Sequence, residues 1–429
     1  MFSDFIINQL DFQSTIIDQD VYRRKSYYQN AKGDTIPYYE LLLVYVDDVL
    51  LVSKDPGVVM KKIGDTFRLK EGFNKPTTYL GAETFQHVNK DATKTWALGS
   101  GKYVKNVIQQ VKDMLEEEDR TLKTPGSKTK REQAGPMHPD YKPELDTSNL
   151  LDADKHARYQ QIIGMLRWAV EIGRVDIQID VAIMSQYLAA PRVGHLEAVY
   201  GIVRYLDIRP DRRLMMSATK AENPKEIEEL FNTDASWTEF YGEVHEEDPA
   251  GMPEPLGNPV KIRTYLDADH AGNVVTRRSH TGIMIFVNNA LIVQYSKKQN
   301  TVESATFGAE MVAMRVARDL TVALRIKLKM FGVPIDGPAD FFCDNDSVVK
   351  NTSIPTSVLA KKHNSVNYHI IRESAAAGIL RVAKIPTEFN KSDALTKVLP
   401  MYKRNDLLND IFYYPSQCTI LDEKVSGET

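Results

Sequence analysis

The chain has 429 residues, more than one hydrophobic core usually organises, so two to three domains are expected. Its net charge of −4 excludes a globally basic nucleic-acid binder, and any electrostatic footprint must be local. Cys343 and Cys418 have no spacing suited to zinc or to a disulfide framework, no apolar run approaches the roughly 20 residues that span a bilayer, and no secretory leader is evident; the chain reads as intracellular, cytoplasmic or nuclear, without a membrane partner.

Residues 1–122 are rich in strand formers. The apolar runs Leu41 to Val44 and Val49 to Val52 enclose Tyr45-Val46-Asp47-Asp48, a pattern that predicts a hairpin with two acids at its tip. Carboxylates so placed can hold magnesium against a nucleotide's phosphates, and the alternative is a solvated turn. Ser53-Lys54-Asp55-Pro56 then starts an amphipathic helix reaching Phe67, with Asp55 as cap, and Tyr79-Leu80-Gly81 and a helix from Tyr103 to about Glu117 follow.

Residues 123–150, with Pro125-Gly126, Gly135-Pro136, Pro139 and Pro143, read as a linker. Over 151–215 apolar residues recur at helical spacing, interrupted at Gly173 and Pro191, which predicts three helices. Trp168, Tyr187 and Tyr205 on these faces are either core residues or stacking platforms for bases, and core packing is the simpler role. Residues 216–259, rich in proline and acids, read as a second linker.

The unit at 260–400 is expected to fold separately from residues 1–215. Thr264 to Asp269 predicts a strand, Gly282 to Val287 and Leu291 to Tyr295 a hairpin turning at Asn288-Asn289, and Glu303 to Met330 a long helix. Phe341 to Asp344 and Ile379 to Ile385 predict two more strands, and residues 401–429 a tail. Three antiparallel strands, a helix, a strand and more helices are the order of an RNase H fold. In that order Asp267, Glu310, Asp344 and Asp393 converge. Such a carboxylate cluster can hold two magnesium ions roughly 3.5–4 Å apart, with manganese as a substitute, and cleave a phosphodiester with water. Singly, Asp344 could cap a helix, Glu310 could be one more helical acid and Asp393 an N-cap; Asp267, within a strand, is the hardest to explain otherwise. Basic pairs at Arg277-Arg278, Lys297-Lys298 and Lys361-Lys362 flank these acids and could grip phosphates, whereas Lys123, Lys128, Lys130 and Arg131 form a separate cluster.

The residues resemble a copia-type LTR retrotransposon Pol polyprotein. The resemblance rests on Leu10-Asp11-Phe12-Gln13-Ser14, Tyr45 to Asp48, Tyr79-Leu80-Gly81, Tyr159-Gln160 and Tyr205-Leu206, and is close through Tyr265 to Asp269, Ser296-Lys297-Lys298-Gln299, Ala309-Glu310, Cys343-Asp344-Asn345, Tyr368 to Glu373 and Asp393 to Lys397. It implies an α+β and α/β multidomain chain: a partial reverse transcriptase palm with Asp47 and Asp48 as metal ligands, a helical thumb or connection, and an RNase H-like domain acting on an RNA–DNA hybrid. The family's metal ligands fall on Asp267, Glu310, Asp344 and Asp393, with Asp269 an extra acid. His363 and His369 match family histidines that are candidate substrate contacts, as are Lys297 and Lys298, although a lone helical histidine is more often structural. His270, Gly308, Ser365 and Asn367 depart from the family's residues without removing a ligand. Fingers and a third palm aspartate are not found, so the polymerase part is expected to be an inactive remnant, and protease, integrase and zinc-knuckle signatures are absent. The expected function is ribonuclease H hydrolysis; the alternative is a decayed or co-opted remnant that binds nucleic acid without catalysis.

Overall fold

The computed structural model describes residues 2–69, 73–88, 94–122, 127–232, 236–360 and 362–413. Lys123, Lys361 and Cys418 lie outside them.

Helix α1 (Phe2–Asn8) packs on a sheet of β1 (Gln13–Ser14), β2 (Val21–Gln29), β3 (Thr35–Tyr45) and β4 (Asp48–Val52), in that order. Ile6, Leu10, Leu42, Val59 and Ile63 form its core together with α2 (Pro56–Thr66). The expected hairpin is present: Leu41 pairs with Val52 and Tyr45 with Asp48. Val46, at the turn, has φ 54°, a left-handed backbone uncommon for a β-branched residue. Asp55 stands at the α2 cap position, but its side chain makes no capping hydrogen bond.

A second sheet runs β14 (Phe412–Tyr413), β8 (Arg213–Met216), β7 (Lys94–Gly99), β6 (Ala82–Val88), β5 (Thr78–Tyr79), and so joins segments far apart in sequence. Helices α3 (Gly101–Glu116), α5 (Ala153–Glu171), α6 (Gln178–Met184) and α7 (Val193–Ile208), the last three being the helices expected over 151–215, pack against one another. Val104, Ile108, Val111, Ile162, Leu166, Val199 and Val203 recur every three or four residues and are buried together, as one-sided apolar helices require. Tyr205 is 1% exposed, as a core residue should be, but Trp168 is 46% exposed beside Gly81.

The third sheet has the order β11 (Ala290–Lys298), β10 (His280–Val287), β9 (Ile262–Asp269), β12 (Ala339–Cys343), β13 (Leu380–Lys384). The first three strands are antiparallel, whereas β12 runs parallel to β9 and β13. Helix α10 (Thr306–Met330) crosses it, with α11 (Asp346–Ser353) and α12 (Ser365–Ala376) packed alongside. β12 is buried throughout, as expected of a strand covered on both faces.

Three expectations are corrected. The segment read as the 123–150 linker is docked: it carries α4 (Lys128–Gln133), Pro143 is buried, and the His195 imidazole meets the Pro143 carbonyl at 2.9 Å. The 216–259 segment carries α8 (Lys225–Glu228) and α9 (Thr238–Tyr241), and its Glu246 binds the Arg325 guanidinium of α10. The unit at 260–400 is not separate from the helices before it, because residues 401–413, read as tail, form α13 (Met401–Leu408) and β14 and tie the two together. Arg404, fully buried, donates to Asp180 Oδ2 at 2.5 Å and to the Asp176 carbonyl at 2.6 Å. Sequence reading missed this because arginine is normally a surface residue, and only its paired acids make burial tolerable.

Candidate active site

β9 occupies the centre of the third sheet, and its burial pattern leaves Asp267 only 4% exposed between Leu266 and Ala268. The parallel register of β12 on β9, Phe341 against Thr264 and Phe342 against Tyr265, carries Asp344 just past the strand end to the level of Asp267. Glu310 arrives from the first turns of α10, where the Ala268 amide supports its carboxylate. Asp393 comes from the short 3-10 turn Lys391–Leu395, held to β9 by Asn390, whose amide donates to the Leu266 carbonyl at 3.0 Å. That turn lies directly on Gly282, the cross-strand partner of Asp267. A Cβ at 282 would stand 2.6 Å from the Ser392 carbonyl oxygen, so only glycine lets the turn approach.

Oxygens of Asp267, Asp344 and Asp393 lie within 4.8 Å of one another, and a second group of the same span joins Glu310, the Cys343 sulfur and Asp344. All four expected acids are therefore brought together, with Asp344 common to both groups. Burial, followed by the neighbouring Asp393, raises the Asp267 pKa to about 6. Burial and then the charges of Asp267 and Asp344 hold Glu310 well above the carboxylate range, and burial and Asp267 raise Asp344. Mutual repulsion in a water-poor site is what a bound divalent cation would relieve, and the all-oxygen donor set of the first group suits magnesium or manganese.

Lys397 partly meets this demand. Its ammonium lies 2.9 Å from Asp393 and 3.9 Å from Asp267; burial works against its charge, but these two carboxylates raise its pKa above the ordinary lysine value. Thr396 donates to Asp267 Oδ2 at 2.6 Å and Thr387 to Asp344 Oδ2 at 2.8 Å, fixing both carboxylates. Sequence reasoning quoted Thr396 and Lys397 only as part of a motif, and their adjacency to Asp393 was the available signal.

The other expected residues sit elsewhere. His363 faces Glu303 at 3.3 Å, and Glu303 lies against Gly308, the position at which the resemblance leads one to expect a glutamate. His369 meets the Tyr241 hydroxyl at 2.9 Å on the outer side of α12. Among the described residues, neither histidine bonds to the four acids. Lys297 is exposed on edge strand β11, and Lys298 lines a cavity that also includes Asp269 and Lys397. Asp269, raised to about 7 chiefly by burial, accepts from the His280 amide. Asp47 and Asp48 are both exposed at the β3–β4 hairpin, and no cluster of three ligand side chains forms around them among the described residues.

No protein-family model matches the chain. The Pol polyprotein of transposon TNT 1-94 of Nicotiana tabacum is 26% identical over 397 residues, covering 90% of this chain and 26% of that protein. The Pol polyprotein of transposon RE1 of Arabidopsis thaliana is 24% identical over 371 residues, covering 86% of this chain and 21% of that protein. The chain is a relative of copia-type retrotransposon Pol polyproteins. It spans about a quarter of the length of these curated relatives. Among solved structures, LC11-RNase H1 in complex with an RNA/DNA hybrid is 21% identical, with a TM-score of 0.26, covering 32% of this chain and 94% of that one. No helix among the described residues is long and apolar enough to cross a membrane.

Proposed function

We propose that this Pol-like chain hydrolyses the RNA strand of an RNA–DNA hybrid at the site built by Asp267, Glu310, Asp344 and Asp393. The observation that carries the reading is the convergence of four acids from four separate elements on the end of one buried strand. Asp267, Asp344 and Asp393 would hold one divalent cation, and Glu310 with Asp344 a second. Bound there, such cations supply a polarised phosphate and an ionised water at neutral pH. The chain's own residues do the rest: Thr396 and Thr387 orient two carboxylates, and Lys397 offsets part of their charge before the cations arrive. A hybrid is the fitting substrate because it presents RNA 2′-hydroxyls in a minor groove opposite a DNA strand.

The β3–β4 hairpin is read as the palm hairpin of a polymerase part that is inactive in this chain, since Asp47 and Asp48 have no third ligand beside them among the described residues. The ion pair of Lys397 with Asp393 favours a second reading, in which a resident ammonium replaces the cations and the site binds nucleic acid without cutting it. The test is incubation with labelled hybrid, duplex DNA and duplex RNA in magnesium. Cutting confined to the RNA strand of the hybrid, and stopped by chelation, supports the nuclease. Tight hybrid binding without cleavage supports the second reading.

A further inference from the structure

Of the four acids, Asp393 alone rides on a short 3-10 turn, Lys391–Leu395, whereas Asp267 and Glu310 are fixed in β9 and α10 and Asp344 follows β12 directly. A turn of five residues has little stiffness of its own and takes its place from what it is tied to. Towards the third sheet the ties are Asn390 on the Leu266 carbonyl and the Ser296 hydroxyl, which donates to the Leu395 carbonyl at 2.8 Å. On the other side the tie is α13. Lys391 Nζ donates to the two Asp410 oxygens at 2.7 and 2.6 Å, just beyond the end of that helix. Ala394 and Leu395, which follow Asp393 directly, share one apolar cluster with Leu407 and Leu408 of α13.

α13 has only eight residues, too few to hold a helix in water without tertiary support. Its buried face is Met401, Arg404, Leu407 and Leu408, so Arg404 lies one helical turn from the two leucines that pack with the residues after Asp393. Arg404 anchors this face in the helical region. Its Nη1 donates to Asp180 Oδ2 at 2.5 Å and to the Asp176 carbonyl at 2.6 Å, and its Nη2 to Asp180 Oδ1 at 3.3 Å. The Asp176 side chain is itself held by Arg174, Arg212 and the Tyr205 hydroxyl, so the grip is on a fixed point. A planar guanidinium on both oxygens of one carboxylate fixes direction as well as distance, which a single ammonium does not.

We propose that Arg404 is a positioning residue for Asp393. Seated on Asp180 and on the Asp176 carbonyl, it fixes α13, and α13 fixes where the Lys391–Leu395 turn presents its carboxylate. The helical region therefore sets the affinity of the cation that Asp393 holds, through a residue that bonds to none of the four acids. The link from Arg404 to the turn stands on these contacts, and the cation rests on the metal-site reading above.

The test uses the full chain as wild type and as two variants. Arg404→Lys keeps the charge and loses the planar fork. Arg404→Met with Asp180→Leu replaces the buried ion pair by apolar side chains, an exchange that need not cost stability, and melting curves confirm folding. Amide hydrogen exchange of residues 390–397 and of β9 is followed in chelator, and manganese binding is then titrated by calorimetry. The expected result in both variants is about tenfold faster exchange over 390–397 with β9 unmoved. One manganese binds about tenfold more weakly, while the second, on Glu310 and Asp344, keeps its affinity. Unchanged exchange and affinity in the folded variants overturn the proposal. An equal change over β9 and at both ions also overturns it, because that is the mark of a general loosening. A change of exchange confined to 390–397, with a wild type that binds no manganese, keeps the link from Arg404 to the turn and refutes the metal reading alone.

Discussion

In the absence of divalent cations, the protein loses stability as pH rises from about 4 to 7, and Asp267→Asn removes a defined share of that loss. The Asp267 carboxyl has its pKa raised from 3.8 to about 6 by burial and by Asp393, so the folded state holds this proton more tightly than the unfolded state. The contribution is fully present below pH ~3.8 and disappears as pH passes through about 6. A shift of that size corresponds to about 3 kcal/mol at 1.36 kcal/mol per unit. The amide that Asp267→Asn introduces never ionises, so in chelator at pH 8 the variant is the more stable protein by about that amount, and the two converge near pH 4. Glu310 and Asp344, both raised in part by Asp267, are relieved in the same direction. With an unfolding entropy of roughly 2.1 cal/mol/K per residue over the whole chain, the difference is about 3 °C in melting temperature. Magnesium reverses the order, because only wild type gains from binding it. Thermal unfolding from pH 4 to 8, with chelator and with magnesium, makes the measurement. A wild type and variant with parallel pH profiles in chelator refute the claim that crowded, buried carboxylates lie at this site.

Arg404→Ala leaves Asp180 buried and unpaired and should cost about 3–5 kcal/mol in urea unfolding, with the cooperativity between the helical region and the third sheet reduced. Gly282→Val pushes the Lys391–Leu395 turn off β10 and withdraws Asp393, so manganese binding followed by calorimetry should weaken about 10–100-fold while the circular dichroism spectrum persists. The purified 429-residue chain should extend no primer above the level of a control with Asp47→Ala and Asp48→Ala; extension above it would show that the exposed hairpin acids find a third ligand.

The acids and their supporting elements were legible in the sequence because short, nearly continuous apolar runs mark β9, β10 and β12, and a carboxylate interrupts the one in β9 at Asp267. Glu310 and Asp344 could be placed by element order alone. What could not be read was any feature that depends on distant residues meeting. The role of Gly282 exists only once the 391–395 turn lies on it, and the docking of 139–144 depends on contacts with α7 and with the loop after β9. Residues 401–413 fell within the expected 401–429 tail because Arg404 is unremarkable until Asp176 and Asp180, more than 220 positions earlier, surround it. The histidines were placed by resemblance, and the structure gives them local partners, Glu303 and Tyr241, instead of the acids.

The central claim is that the four converging acids make this chain a metal-dependent hybrid ribonuclease, and the most direct measurement is single-turnover cleavage of a labelled RNA–DNA hybrid by wild type and by Asp344→Asn, the acid common to both ligand groups. The account predicts magnesium-dependent cutting of the RNA strand by wild type and none by the variant, which still binds the hybrid. Equal cleavage by both proteins, or none by a wild type that folds and binds hybrid in magnesium, would contradict it.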